Sequence, residues 1–269
     1  MTELLSAARM RAIEAGAIGA GRATGAGLME RAGAGAAGAM LARWPGLRRS
    51  GRVLVLAGPG NNGGDGVVIA RHLARAGAAP TVVILGRDPV SLDALPPDAH
   101  ANAERWVREG GRLIAAPDAP AAFLVDLAPD AVVDAVFGTG LARAVEGGIA
   151  AMLDAVGALD GAVRPHVMAV DMPSGLCSDS GRVLGTALAA DLTATFHGAK
   201  LGHHLAEGPR LCGALHVVSI GLEGEAPPVD PPPATLLDRH VAPLLAKIGG
   251  HKYDHGHALV LAGGVGRGG

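Results

Sequence analysis

The sequence predicts an α/β fold, a Rossmann-like three-layer α/β/α arrangement with a mostly parallel sheet and helices on both faces. Three observations lead there. Short apolar, β-branched runs alternate with longer helical patterns through most of the chain. A glycine-rich turn, Gly-Pro-Gly-Asn-Asn-Gly-Gly-Asp-Gly at 58–66, sits between the first such run and the helix pattern after it. Polar residues recur at the carboxyl ends of the predicted strands, where open parallel sheets bind ligands.

Residues 2–44 read as helical, with a first segment carrying Leu4, Leu5, Met10 and Ile13 and a second running to Trp44. Pro45-Gly46 ends the second. The strand candidates are 53–57, 81–85, 131–135, 167–171, 192–196 and 215–219. The run Val53-Leu54-Val55-Leu56-Ala57 is continuously apolar, as a strand buried on both faces should be. Helices are expected at 67–76, 98–110, 146–158 and 185–190. The segment Val67 to Arg75 places its apolar positions on one helical face. Residues 223–233 break the alternation, because Pro227, Pro228, Pro231, Pro232 and Pro233 make a stiff, extended linker. A short helix at 236–246, a strand at 258–262 and Gly263-Gly264 follow. One strand and a turn do not make a domain, so the last ~35 residues read as the opening of a second α/β domain.

Composition narrows the function. The chain has 269 residues, 18% charged and 49% hydrophobic, enough for a sizeable core. A net charge of −2 gives no electrostatic footprint for nucleic acid, and 2% aromatics leave few platforms for stacking bases. Cys177 and Cys212 make neither a disulfide framework nor a zinc site, so a cytoplasmic setting is expected. No secretory signal and no membrane span are read.

Three turns carry the chemistry. In the first, residues 58–66, five glycines allow close approach to a ligand, and new helical amides suit a phosphate. Gly58, Gly60 and Gly63 satisfy G-x-G-x-x-G, a weak match in a chain with 42 glycines. The ribose carboxylate expected about 20 residues later is not clear, since Asp88 falls late. In the second turn, Asp134 precedes Phe137-Gly138-Thr139-Gly140-Leu141. In the third, Asp171 precedes Met172-Pro173-Ser174-Gly175. Each also has a plain structural reading. Asp134 and Asp171 can hold turn amides, and Ser174 can cap a helix. Three oxygen-rich turns on one sheet edge make a ligand site the better reading.

With these motifs in order, the chain resembles the NAD(P)H-hydrate epimerase family, the YjeF N-terminal domain. The resemblance rests on residues 58–66, 133–140 and 170–175, and on Thr195-Phe196-His197-Gly198-Ala199-Lys200-Leu201-Gly202. It covers about residues 8–222. It implies an epimerase domain at 1–222, a linker at 223–234, and at 235–269 the truncated start of a ribokinase-like NAD(P)H-hydrate dehydratase. The family interconverts the R and S forms of NADHX or NADPHX, the 6-hydroxylated cofactors. The resemblance implies substrate binding by Asn61, Asn62, Gly63, Gly64, Asp65, Gly138, Thr139, Gly140, Leu141, Ala142, Arg143 and Ala144. Asp171 is implied as the residue at the reacting end. Asn62, Asp134 and Ser174 are implied as ligands of one potassium ion (K+), for which oxygen donors are suited. Relatives suggest a homodimer. No nucleic acid or membrane partner is expected.

Other residues remain open. Arg143 could meet a substrate phosphate or pair with Glu146. Lys200 is expected to be solvated or paired with a carboxylate, and His203-His204 to be a surface pair. His251, His255 and His257 have metal-like spacing but match the dehydratase opening. Two rival functions stand beside the epimerase. A scaffold module of the same fold should lack the acidic residue at 171 or the Asn pair, and both are present. An NAD-dependent oxidoreductase should have a ribose carboxylate and a substrate domain, and neither is evident.

Overall fold

A computed structural model describes residues 2–86, 92–225 and 234–236. Asp88, most of the proline-rich stretch and the His251, His255 and His257 group lie outside the described residues. The chain divides into two compact units, residues 3–234 and residues 1–2 with 235–269.

The larger unit is built on a sheet of seven parallel strands: β1 Arg52–Ala57, β2 Ala79–Ile84, β3 Leu113–Ala115, β4 Ala131–Ala135, β5 His166–Val170, β6 Leu192–Phe196 and β7 Ala214–Val218. Their spatial order is β3-β2-β1-β4-β5-β6-β7. Register is regular across the centre, with Val55 beside Val82 on one side and Val133 on the other. The chain runs outward from β1 to β3, then crosses back to β4 and runs the other way. The strand order therefore reverses between β1 and β4, which opens a crevice above their carboxyl ends.

Alternation along β1 feeds two cores. Val53, Val55 and Ala57 join a cluster with α1 (Ala7–Gly19), α2 (Gly25–Arg43) and α3 (Asn61–Arg75). Leu54 and Leu56 join a cluster with α5 (Pro120–Leu127) and α6 (Gly147–Gly157). Both faces of the central strands are thus covered, as the unbroken apolar run in β1 requires. Each fully buried Leu or Val contributes about 1.5–3 kcal/mol. The remaining long helix, α4 (Pro97–Arg108), sends Trp106 into the first cluster.

All six predicted strands are present within two residues, the two N-terminal helices are found as read, and three details differ. The N-terminal region is two helices, capped by Ser6 and Thr24, which accept from the amides of Arg9 and Gly27. Helix α3 starts at Asn61, not 67, so most of the glycine-rich turn is already helical. Propensity argues against glycine there, but packing decides. A Cβ on Gly63 would lie 2.0 Å from the Gly58 carbonyl oxygen, so only glycine lets this helix sit against the end of β1. Residues 185–190 are not helical. Gly185 has φ +80° and bridges Val145, and the Val145 amide donates to the Leu184 carbonyl. Strand β3 and helix α5 escaped the sequence reading. The first is a three-residue edge strand, too short to show a period, and the second is only eight residues long.

Candidate active site

The crevice between β1 and β4 holds a cavity of about 590 Å³. Its floor comes from the turns after β1, β4 and β5, and Arg11 and Glu14 of α1 line it too. Asn61, Asn62, Asp65, Gly138, Thr139, Gly140, Leu141 and Asp171 line the cavity directly. Gly63 and Gly64 are buried and lie outside the lining. Ala142, Arg143 and Ala144 are exposed and lie outside the lining.

Asp171 follows the last residue of β5 and adopts φ +66°, a left-handed conformation unusual for a residue other than glycine. Such a conformation persists where the surroundings hold it. Here Oδ2 accepts from the Thr139 amide at 3.0 Å. Oδ1 accepts from Thr195 Oγ1 at 3.0 Å, and Lys200 Nζ lies 2.8 Å from it. The carboxylate therefore ties the turn after β4 to strand β6. Burial alone would raise its pKa. The Lys200 charge and hydrogen bond, with the Thr139 amide, outweigh burial and hold it below the ordinary carboxylate value.

Two other carboxylates face the same space and behave oppositely. Asp65 is pushed well above its usual value, first by burial and then by the charges of Asp171 and Glu14. Glu14 is raised by burial and by Asp171. Asp171 is therefore the carboxylate held anionic, and its neighbours titrate later.

Below this layer, Asp134 and Ser174 are fully buried. Ser174 Oγ donates to Asp134 Oδ1 at 2.5 Å, and the Ser174 amide donates to Oδ2 at 2.8 Å. Ser174 Oγ accepts from the Phe137 amide at 2.9 Å. Ser174 thus joins the turns after β4 and β5 and caps no helix. Burial pushes the Asp134 pKa up to about 6 against the pull of its hydrogen bonds, and no cationic side chain contributes. Close by, a Cβ on Gly138 would lie 2.9 Å from Asp171 Oδ2 and 3.0 Å from Asn62 Oδ1. The buried Asn62 Nδ2 has no hydrogen-bond partner. Among the described residues, no group of three or more His, Cys, Asp or Glu side chains could hold a metal ion. A cation here would rest on mixed oxygen donors.

The family model for YjeF-related protein N-terminus matches residues 25–202. The chain belongs to this family. The NAD(P)H-hydrate epimerase of Rhodobacter capsulatus is 43% identical over 211 residues, covering 76% of this chain and 92% of that protein. That of Roseobacter litoralis is 38% identical and is covered completely. The bifunctional NAD(P)H-hydrate repair enzyme of Moorella thermoacetica is 37% identical over 72% of this chain, but the match spans only 36% of its length. The crystal structure of yeast YNL200c superposes with a TM-score of 0.66 at 22% identity, covering 80% of this chain and 88% of that one. This last likeness supports the α/β fold.

In this YjeF-family chain the sequence reading missed Thr195 at Asp171, left Lys200 between solvent and a carboxylate, and misplaced His203. Thr195 and Lys200 lie in a motif that the resemblance used but gave no role. Lys200 is paired with a carboxylate and 1% exposed. His203 is not on the surface. It is 3% exposed, and its Nε2 lies 2.9 Å from the Asp171 carbonyl oxygen. In sequence Lys200 and His203 stand only four and seven residues beyond the buried strand Leu192–Phe196, a position that shows no role by itself.

Proposed function

We infer that this chain epimerises the R and S forms of NAD(P)H-hydrate, with Asp171 at the reacting carbon. The observation that carries the reading is an anionic, buried carboxylate opening onto the cavity at the strand-order reversal. The epimerase relatives matched over most of their length give the substrate class.

The 6-hydroxylated carbon is a hemiaminal, bonded to both a hydroxyl and the ring nitrogen. Inversion needs one bond to open and re-form on the other face. In our reading Asp171 takes the hydroxyl proton as the carbon–nitrogen bond breaks and hands the same proton to the departing nitrogen, which leaves an aldehyde and a neutral N–H. After rotation Asp171 takes that proton back as nitrogen re-attacks the other face of the aldehyde and returns it to the oxygen, so no oxidant or reductant is needed. One group acting as base and then as acid suits a freely reversible exchange. Thr139 orients the carboxylate, and the amides at the start of α3 suit the cofactor's phosphates.

We also propose one K+ ion near Asn62, Asp134 and Ser174. One feature supports it: the Asp134 carboxylate is buried without a cationic partner. Bound there, the ion would neutralise Asp134 and supply positive charge beneath the substrate. Free Cys177 and Cys212 support a reducing compartment, the cytoplasm. Among the described residues no helix is long and apolar enough to cross a membrane. The test is direct. Hydrated NADPH enriched in one epimer should equilibrate in the presence of the protein, while intact NADPH shows no hydride transfer. Absence of equilibration would refute the function.

A further inference from the structure

Of the 23 basic residues in the chain only three are lysines, Lys200, Lys247 and Lys252. Within residues 3–234 Lys200 is the single one, and every other cation there is arginine or histidine. Its ammonium has three donors, and each meets an oxygen. Asp171 Oδ1 and Thr195 Oγ1 lie at 2.8 Å and the Phe196 carbonyl at 2.9 Å. A compact ammonium fits three acceptors at the end of a strand, whereas the flat fork of arginine does not. Thr195 Oγ1, accepting one bond from Lys200, donates its own hydrogen bond to Asp171 Oδ1.

The same short segment reaches Asp171 a second time. The Lys200 amide donates to His203 Nδ1 at 2.9 Å, so the proton of the neutral ring sits on Nε2. That nitrogen donates to the Asp171 carbonyl at 2.9 Å. Residue 171 is thus held at both ends of its strained conformation, by a cation at the carboxylate and an imidazole at the backbone.

We propose that Lys200 and His203 are positioning residues of the epimerase: together they fix Asp171 so that Oδ1 is saturated and Oδ2 alone exchanges the substrate proton. Oδ2 carries one bond, from Thr139, and Asp171 lines the cavity. The inference rests on the catalytic reading of Asp171 given above. The ring of His203 stays neutral through the working range, because burial and the Lys200 charge press its pKa down to about 4. Its part is geometric. Lys200 keeps the carboxylate anionic against burial and the facing carboxyls of Asp65 and Glu14.

Lys200→Met, His203→Gln and Asp171→Asn should be assayed beside wild type on hydrated NADPH, with kcat and KM separated and kcat followed against pH. For Lys200→Met we expect a loss of about 100-fold in kcat with little change in KM. The acid limb should move to higher pH, because the base form of Asp171 is present only above a pKa that loses its cation. His203→Gln should lower kcat without moving that limb. A Lys200→Met protein with wild-type kcat and an unmoved limb would overturn the proposal if Asp171→Asn is inactive. If Asp171→Asn stays active, the catalytic reading fails instead. NMR of wild type judges the clamp without activity or variants. Asp171 should stay ionised below the ordinary carboxylate pKa, and His203 should carry its proton on Nε2. A proton on Nδ1, or Asp171 titrating above that value, would overturn the proposal even if no variant folds.

Discussion

Asp134 and Ser174 grip each other twice, through the serine hydroxyl at 2.5 Å and the serine amide at 2.8 Å. The grip locks the turns after β4 and β5 together, yet leaves the carboxylate buried with no cationic side chain to balance it. A potassium ion would relieve that imbalance. KCl should therefore raise the Tm at neutral pH relative to choline chloride at equal ionic strength. A gain of about 1 kcal/mol corresponds to roughly 2–4 °C in a domain of this size. Asp134→Asn should abolish the difference between the two salts. Equal Tm values in both salts for wild type would remove the cation from this site.

Asp171→Asn keeps the shape of the side chain but cannot carry the proton. Its folding should survive, because the side chain keeps its volume, although the single amide oxygen can serve only one of the Thr139 and Thr195 sides and Lys200 loses its counter-charge. Epimerisation should fall by about 10²–10⁴. A folded variant retaining a tenth of wild-type activity would end the role assigned to Asp171.

Gly138→Ala tests the reaction space itself. The added methyl would press on Asp171 Oδ2 and Asn62 Oδ1 at 2.9 and 3.0 Å. A displacement on that scale costs up to about 100-fold in rate. Activity should fall steeply while Tm moves little. Unchanged turnover would mean that the substrate does not use this corner.

Gly63→Ala attacks the scaffold. Its methyl meets a backbone oxygen at 2.0 Å, and no side chain can rotate away to admit it. Destabilisation of about 1–3 kcal/mol is expected from overpacking, read as a lower urea midpoint at an unchanged slope. A neutral result would show that α3 can lift away from β1.

A chain ending at residue 235 should retain the epimerase activity of the longer one, because every residue that lines the cavity precedes 221. The comparison of kcat/KM between the two chains decides it. A large loss in the shorter chain would place part of the site beyond that point.

The strands were legible because each is a short β-branched run and most are bounded by glycine, proline or charge. The site was legible as three turns because Asp134 and Asp171 each directly follow such a run or close it. The start of α3 was not, since glycine argues against helix and only contact with Gly58 overrules it. Lys200 and His203 stayed hidden for a different reason. Their meaning depends on the left-handed turn at Asp171, which brings residues about 30 positions apart into contact, and no local spacing encodes that.

The lone lysine also gives the fold a chemical handle. Amine-directed reagents need an accessible nitrogen, and Lys200 is enclosed by three oxygens and 1% exposed. Acylation at that position can proceed only when the strand end and the turn after β5 part. Its rate, read by peptide mass spectrometry, becomes a clock for local opening of the centre, separate from global unfolding. Substrate that closes over Asp171 should slow that clock.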